Sequence, residues 1–250
     1  MNKLYLGDCL EVMNKIEDHS IDMILCDLPY GTTACKWDTI IPLESLWKQY
    51  KRIIKPKGAV ILTATQPFTT TLISSNMKMF KYCWVWNKQS GGAFVRVKYR
   101  PLQTHEDIII FGEETITYNP QMTIAKPENI RPINKGSSGG NAIPIAGGKA
   151  KSSESYNPKK RYPKTIISIS RYSKECNSIN RIHPTQKPVA LFEYLIKTYT
   201  NEGELVLDNC AGSGTTAIAC INTNRNYILI EKDPEYYQIA KDRIAAHTKL

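Results

Sequence analysis

The chain has 250 residues, 42% of them apolar, and carries 33 Lys and Arg against 23 Asp and Glu for a net charge of +10. That is enough chain for one large α/β domain, and the basic balance suits a polyanionic partner without requiring one. No apolar run approaches a membrane span, MNKLYLGDCLEV lacks the apolar centre of a signal peptide, and the seven cysteines include no Cys-x-x-Cys pair. Membrane, disulfide-framework and zinc proteins are therefore disfavoured, and a cytoplasmic protein with reduced cysteines is expected.

Residues 2–8 read as a short strand, followed by a helix over CLEVMNKIED. IDMILCD (21–27) is nearly all apolar, as for a strand covered on both faces. PLESLWKQYKRIIKPKG has Leu43, Leu46, Trp47, Tyr50 and Ile54 at helical spacing and is expected to end at Pro56 and Gly58. AVILTAT is a buried strand, FTTTLISSNM a short helix, and KYCWVWNK and HEDIIIFG two further strands. Trp84 and Trp86 alternate with Cys83 and Val85 and are expected to pack in the core rather than stack on a base.

From about 113 to 182 the pattern fails. The segment is polar and rich in Pro, Gly, Ser and Lys, and between Gly112 and Asn180 there are 11 Lys and Arg against 5 Asp and Glu. Such a stretch inside a compact domain is more often functional or disordered than filler. The chain is thus divided into a half at 1–112, an insertion at 113–180 and a second half at 181–250. In the last part PVALFEYLIKTYT is helical, with Phe192, Ile196 and Tyr199 on one face. ELVLDNC (204–210) is a strand, AGSGTTAIACIN a turn into a helix, NYILIEKD (226–233) a strand and PEYYQIAKDRIAAH a closing helix. Strands alternate with helices at both ends, so the expected fold is α/β with a doubly wound, mostly parallel sheet.

Two strand ends carry candidate chemistry. In LVLDNCAGSGTTA a strand turns into a helix through Gly212-Ser213-Gly214, where such sheets hold a nucleotide-like ligand. About twenty residues on, Glu231 ends the next strand, placed to accept hydrogen bonds from ribose hydroxyls. Asp233 precedes Pro234 and has a simpler reading as a helix cap. Gly212, Gly214 and Ala217 satisfy a relaxed dinucleotide fingerprint, so a dinucleotide stays open. The chain ends one helix after Glu231, however, and one adenosine with a short tail, such as S-adenosylmethionine, fits better.

The other strand end is Asp27-Leu28-Pro29-Tyr30. Pro29 stiffens the turn and holds Leu28 extended. The Asp27 carboxylate and the Leu28 carbonyl offer two acceptors for an exocyclic amine, and Tyr30 offers a ring face for a base. Two acceptors that draw an amine nitrogen toward tetrahedral geometry free its lone pair to attack a methyl sulfonium.

Asp27-Leu28-Pro29-Tyr30 resembles the D-P-P-Y motif of the amino-methylating DNA methyltransferases, with Leu28 in place of a proline. Asp208-Asn209-Cys210-Ala211-Gly212-Ser213-Gly214-Thr215-Thr216 is similar to their D-P-F-A-G-S-G-T-T cofactor loop, departing at Asn209 and Cys210. His183-Pro184-Thr185-Gln186-Lys187-Pro188 matches their H-P-T-Q-K-P segment, and Leu6-Gly7-Asp8-Cys9 resembles the end of a cofactor-side strand. The catalytic strand comes first and the cofactor strand late, which resembles the permuted, beta-type order of that family. The matches span residues 3 to about 245.

The resemblance implies a Rossmann-like S-adenosylmethionine-dependent enzyme that methylates the N6 amine of a flipped adenine in double-stranded DNA. Cytosine-N4 methylation is the nearest alternative; RNA or protein amine methylation and an inactive DNA-binding module are more distant. It also implies site residues. The catalytic set is Asp27, Leu28, Pro29 and Tyr30. The cofactor set is Asp8, Cys9, Asp27, Thr185, Gln186, Lys187, Asp208, Ala211, Gly212, Ser213, Gly214, Thr215, Thr216, Glu231 and Lys232, with no metal. Asp8 also heads a capping box, Asp8-Cys9-Leu10-Glu11. The basic insertion, with Tyr156, Tyr162 and Tyr172 among its cations, is the candidate for DNA recognition. A homodimer and a cognate restriction endonuclease are compatible with this reading.

Overall fold

The computed structural model describes residues 2–31, 39–92, 97–130, 157, 159–172 and 186–248. The expectations on His183, Pro184, Thr185, Tyr156 and the stretch 134–155 lie outside these. The described chain forms two compact units, one of residues 1–119 and 165–250, the other of residues 120–164.

In the larger unit the first half supplies β1 (Lys3–Leu6), α1 (Cys9–Met13), β2 (Ile21–Cys26), α2 (Leu43–Ile53), β3 (Ile54–Ala64), α3 (Phe68–Ser75), β4 (Phe80–Gly92) and β5 (Gln103–Phe111). In the smaller unit β6 (Thr123–Ile124) pairs antiparallel with β7 (Lys160–Arg161). The larger unit resumes with β8 (Ile166–Ser168), α4 (Val189–Tyr199), β9 (Leu205–Asp208), α5 (Thr215–Asn222), β10 (Asn226–Glu231) and α6 (Pro234–Thr248).

Eight strands form one sheet in the order β1-β10-β9-β2-β3-β5-β4-β8. From β1 to β3 every pairing is parallel; β5 alone runs against its neighbours. Period-two alternation sends successive side chains of each strand into opposite layers. Ile24 and Cys26 of β2 join one core with Trp47 and Tyr50 of α2, whereas Met23 and Leu25 join another with Phe192 and Leu195 of α4. Both faces of the strand are covered, which is why its sequence is apolar throughout.

Three elements differ from the sequence reading. α1 stops at Met13 and continues as tight turns, with Lys15 N–H donating to the Val12 carbonyl and Ile16 N–H to that of Met13, both at 3.0 Å. α2 ends at Ile53, not at Pro56: Ile54 is already extended and pairs with Ile21 of β2, and Lys55, before the proline, avoids helical geometry. The short strand β8, inside the stretch read as irregular, pairs parallel with β4. Trp84 and Trp86 are buried as expected, their indole N–H groups bonded to the Tyr199 hydroxyl at 2.6 Å and the Ile169 carbonyl at 2.8 Å.

No helix among the described residues is long and apolar enough to cross a membrane.

Candidate active site

The strand order sets the position of the site. From β9 the chain proceeds outward to β10, and from β2 it proceeds the other way to β3, so the β9/β2 boundary is the topological switch point. In parallel doubly wound sheets, ligands bind at this point beyond the carboxyl ends of the strands. Ile24 of β2 is in register with Leu207 of β9, so Asp27 and the loop that follows Asp208 emerge at the same edge of the sheet.

A cavity of about 690 Å³ opens there, and both distant motifs line it. One wall is Asp27, Leu28, Pro29 and Tyr30; another is Asp208, Ala211, Gly212, Ser213 and Thr215. Asp8, Cys9, Gln186, Lys187, Glu231 and Lys232 complete the expected set. Gly214 and Thr216 are not in the wall but support it from behind. Gly214 caps α5 at φ +76°, and a Cβ there would lie 3.1 Å from that of Ala240. Thr216 is fully buried and donates its hydroxyl to Asp208 Oδ2.

Asp27 is held from three sides. Tyr30 donates its hydroxyl to Oδ1 at 2.7 Å, Thr63 donates to the same oxygen, and the Lys187 ammonium bonds Oδ2. A carboxylate has about four lone-pair sites, so one acceptor position remains, on Oδ2. Tyr30 thus does more than present a ring: its hydroxyl fixes the carboxylate, while its ring packs on Phe68 with centroids 5.3 Å apart. Burial, then the charges of Asp27 and Glu106, push its phenol far above the ordinary range, so it remains a donor. Leu28 buries its side chain in the core beneath the cavity wall.

Lys187 is buried and lies between two acids. Besides Asp27, Glu106 Oε2 stands 3.4 Å from its ammonium, and Glu106 Oε1 stands 3.2 Å from Lys88. Burial alone would lower the Lys187 pKa, but Asp27 and Glu106 outweigh it and hold it above the usual lysine value. Lys88, Glu106 and Thr63 were missed from sequence. The available signal was a lysine two residues past Trp86 on the buried face of β4, and an acid at the mouth of an apolar strand.

Glu231 accepts the Gly212 N–H at 2.7 Å on Oε2 and the Asp233 N–H at 2.8 Å on Oε1. One lone pair is left on each oxygen, a match for two adjacent hydroxyls. Burial raises its pKa, against those backbone donors. Asp208 accepts the Cys210 N–H at 3.1 Å and the Thr216 hydroxyl, yet burial still lifts its pKa to about 6. Asp8 is the N-cap of α1, accepting the Leu10 N–H at 3.0 Å, and also pairs with Lys232 at 3.1 Å on the cavity rim. Asp233 caps α6 through the Glu235 and Tyr236 N–H groups at 2.8 and 3.2 Å. Cys9 and Cys210 are free thiols in the cavity lining, and Cys26 is a buried free thiol next to Cys210; hydrogen bonding between thiols, then burial, raises Cys9 and Cys210, and burial raises Cys26 to about 12, so all three stay protonated. Among the described residues no cluster of His, Cys, Asp or Glu is arranged to hold a metal ion.

The fold and this cavity define a doubly wound α/β protein with a nucleotide-type pocket at its switch point and a carboxylate–proline–tyrosine turn on the facing rim. The chain belongs to the N6/N4 DNA methylase family, whose family model matches residues 21–242. It is 27% identical to the type II methyltransferase M.HpaI of Haemophilus parainfluenzae, over 97% of this chain and 74% of that protein. It is 26% identical to the DNA adenine methyltransferase YhdJ of Escherichia coli K12, over 96% of this chain and 82% of the other. Among solved structures, the M1.HpyAVI–SAM complex superposes with a TM-score of 0.64 at 24% identity, covering 98% of this chain and 99% of that one. The cytosine-N4-specific PvuII DNA methyltransferase superposes with a TM-score of 0.65 at 16% identity, covering 100% and 92%.

Proposed function

We propose that the protein transfers a methyl group from S-adenosylmethionine to the N6 amine of an adenine flipped out of duplex DNA. The observation that carries this reading is that Asp27 and Tyr30, on one side, and Gly212 and Glu231, on the other, line a single cavity. The two free lone pairs of Glu231 suit a ribose diol, and Asp8, Lys232 and the 208–215 loop surround the same end. S-adenosylmethionine supplies the methyl group on a sulfonium. The chain's own residues supply alignment and polarisation. The open acceptor site on Asp27 Oδ2 and the Leu28 carbonyl take the two amine hydrogens and draw the nitrogen toward tetrahedral geometry. The lone pair so freed would take the methyl group that S-adenosylmethionine supplies, and Asp27 or water would receive the surplus N–H proton. Much of the remaining acceleration is positioning of two substrates.

Adenine is favoured over cytosine by the acid at Asp27, because the cytosine-N4 enzymes that the motif resembles more often carry serine there. The similarity to the DNA adenine methyltransferase YhdJ points the same way. The test is to incubate the protein with labelled cofactor and duplex DNA, digest to nucleosides and identify the product by mass spectrometry. N6-methyladenine is expected. N4-methylcytosine would overturn the base assignment, and absence of labelled nucleoside would overturn the activity.

The basic segment at 113–180 is proposed for DNA recognition. Among its described residues Lys159, Lys160, Tyr162, Lys164 and Tyr172 are exposed, and the Arg171 guanidinium lies 5.2 Å from the Tyr172 ring centroid. Phosphate contacts by such cations make affinity fall steeply with salt.

A further inference from the structure

A chain of four alternating charges runs along the cavity wall: Lys88, Glu106, Lys187 and Asp27, joined at 3.2 Å, at 3.4 Å and by the Lys187–Asp27 bond. It joins four chain segments, the end of β2, β4, β5 and the turn ahead of α4, and all four residues line the cavity. Glu106 sits opposite Trp86 in the β4–β5 ladder, so its backbone is fixed. The proposed reaction uses only the last member directly. The first three are a costly arrangement to bury unless the chemistry uses them.

We propose that Glu106 is a positioning residue for methyl transfer, which fixes the Lys187 ammonium at one lone pair of Asp27 Oδ2 and so keeps the last acceptor site on that oxygen open to the target amine. This deepens the function proposed above and rests on it. The reasoning is a count of acceptors and charges. Oδ1 is filled by Tyr30 and Thr63, so amine binding must use the oxygen that Lys187 already touches. With Asp27 as its sole counter-ion, a buried ammonium bonded to that oxygen would be free to swing across the path of the amine. The Glu106 carboxylate, 3.4 Å from the ammonium, restricts that swing, and Lys88 in turn holds Glu106 in place. Burial works against a charged Glu106, but Lys187 and Lys88 outweigh it and hold its carboxyl below the ordinary value, just as Lys187 is held above its own. Both stay charged through neutral pH, which suits a fixed electrostatic brace rather than a proton shuttle.

The test is a double-variant cycle in the full chain, reading kcat and KM for duplex DNA with cofactor affinity as a folding control. Glu106→Gln removes the charge and keeps the shape. It is expected to lower kcat roughly tenfold, the value of one misaligned charge-assisted contact, while KM and cofactor affinity move less than about twofold. Lys187→Met removes the intermediary, and adding Glu106→Gln to it is expected to cost nothing further. Glu106→Asp, which retains the charge and spares the fold, is expected to recover most of the loss. An unchanged kcat in Glu106→Gln, independent multiplicative losses in the double variant, or an Asp variant as impaired as the Gln variant with cofactor binding intact would each overturn the proposal. If the unaltered protein transfers no methyl group, the parent function falls and this inference falls with it. If that protein is active and the cycle is multiplicative, only the inference falls.

Discussion

Substitutions at Asp27 separate the acceptor role from a merely structural one, because the geometry predicts different outcomes for two changes. Asp27→Ala removes the acceptor for the amine and also the partner of the Tyr30 and Thr63 hydroxyls and of Lys187. A hydrogen bond to a charged group contributes about 1.5–3 kcal/mol, so losing the amine contact alone slows transfer roughly 10- to 150-fold. Displacement of Tyr30 and Lys187 adds to this, and a loss above about 100-fold is expected. Asp27→Asn behaves differently. Its amide can turn Nδ2 toward the Tyr30 and Thr63 oxygens, which can accept, and leave Oδ1 facing Lys187 and the amine. The acceptor survives but loses its charge, about 1–1.5 kcal/mol, or near tenfold in rate. The assay is single-turnover transfer of labelled methyl to duplex DNA, with cofactor affinity measured in parallel and expected to change little. Equal losses in Ala and Asn, or full activity in Ala, would refute the reasoning.

Other expectations follow from the cofactor side. Glu231→Ala should weaken S-adenosylmethionine binding at least about tenfold, read by calorimetry, because two hydroxyls lose a charged acceptor. Asp208 holds a proton up to a pH of about 6, against an ordinary value of 3.8 when unfolded, so between these values the folded state binds more protons. Stability should therefore fall as pH rises from about 4 to about 6, by on the order of 3 kcal/mol from this group. Asp208→Asn should flatten that fall in urea titrations across the range. Gly214→Ala should cost about 1–3 kcal/mol of stability, because φ is +76° and Ala240 lies against the new methyl, in denaturant melts. DNA affinity should drop steeply between low and physiological salt, and neutralising Lys159, Lys160 and Lys164 together should reduce the slope of log K on log salt by up to about 3.

The sequence was most legible where a local signal and a global one agree. β2 and β9 announced themselves by continuous apolar runs, because both faces are covered, and each run stops at a carboxylate. That pattern puts Asp27 and Gly212 at one edge of the sheet. Boundaries were less legible. The apolar spacing of α2 continues to Ile54, but Pro56 and the demands of pairing with β2 turn that residue into a strand. Least legible were the groups that act through others. Glu106 and Lys88 are charges set among the apolar residues of their strands, and nothing local says that β4 and β5 bring them within reach of a lysine at 187 and an acid at 27. The Asn209 and Cys210 departures in the glycine loop also acquire a reason only in three dimensions. Asn209 Oδ1 accepts the Tyr50 hydroxyl at 2.5 Å, and the Cys210 thiol joins those of Cys9 and Cys26.

The convergence of the two motifs on one cavity is tested most directly by a crystal structure with S-adenosylhomocysteine bound. The account predicts its ribose hydroxyls on Glu231 and its sulfur facing Asp27 Oδ2, with room between for one methyl group and one amine nitrogen. A cofactor product seated elsewhere, or in the cavity with its sulfur turned away from Asp27, would contradict it.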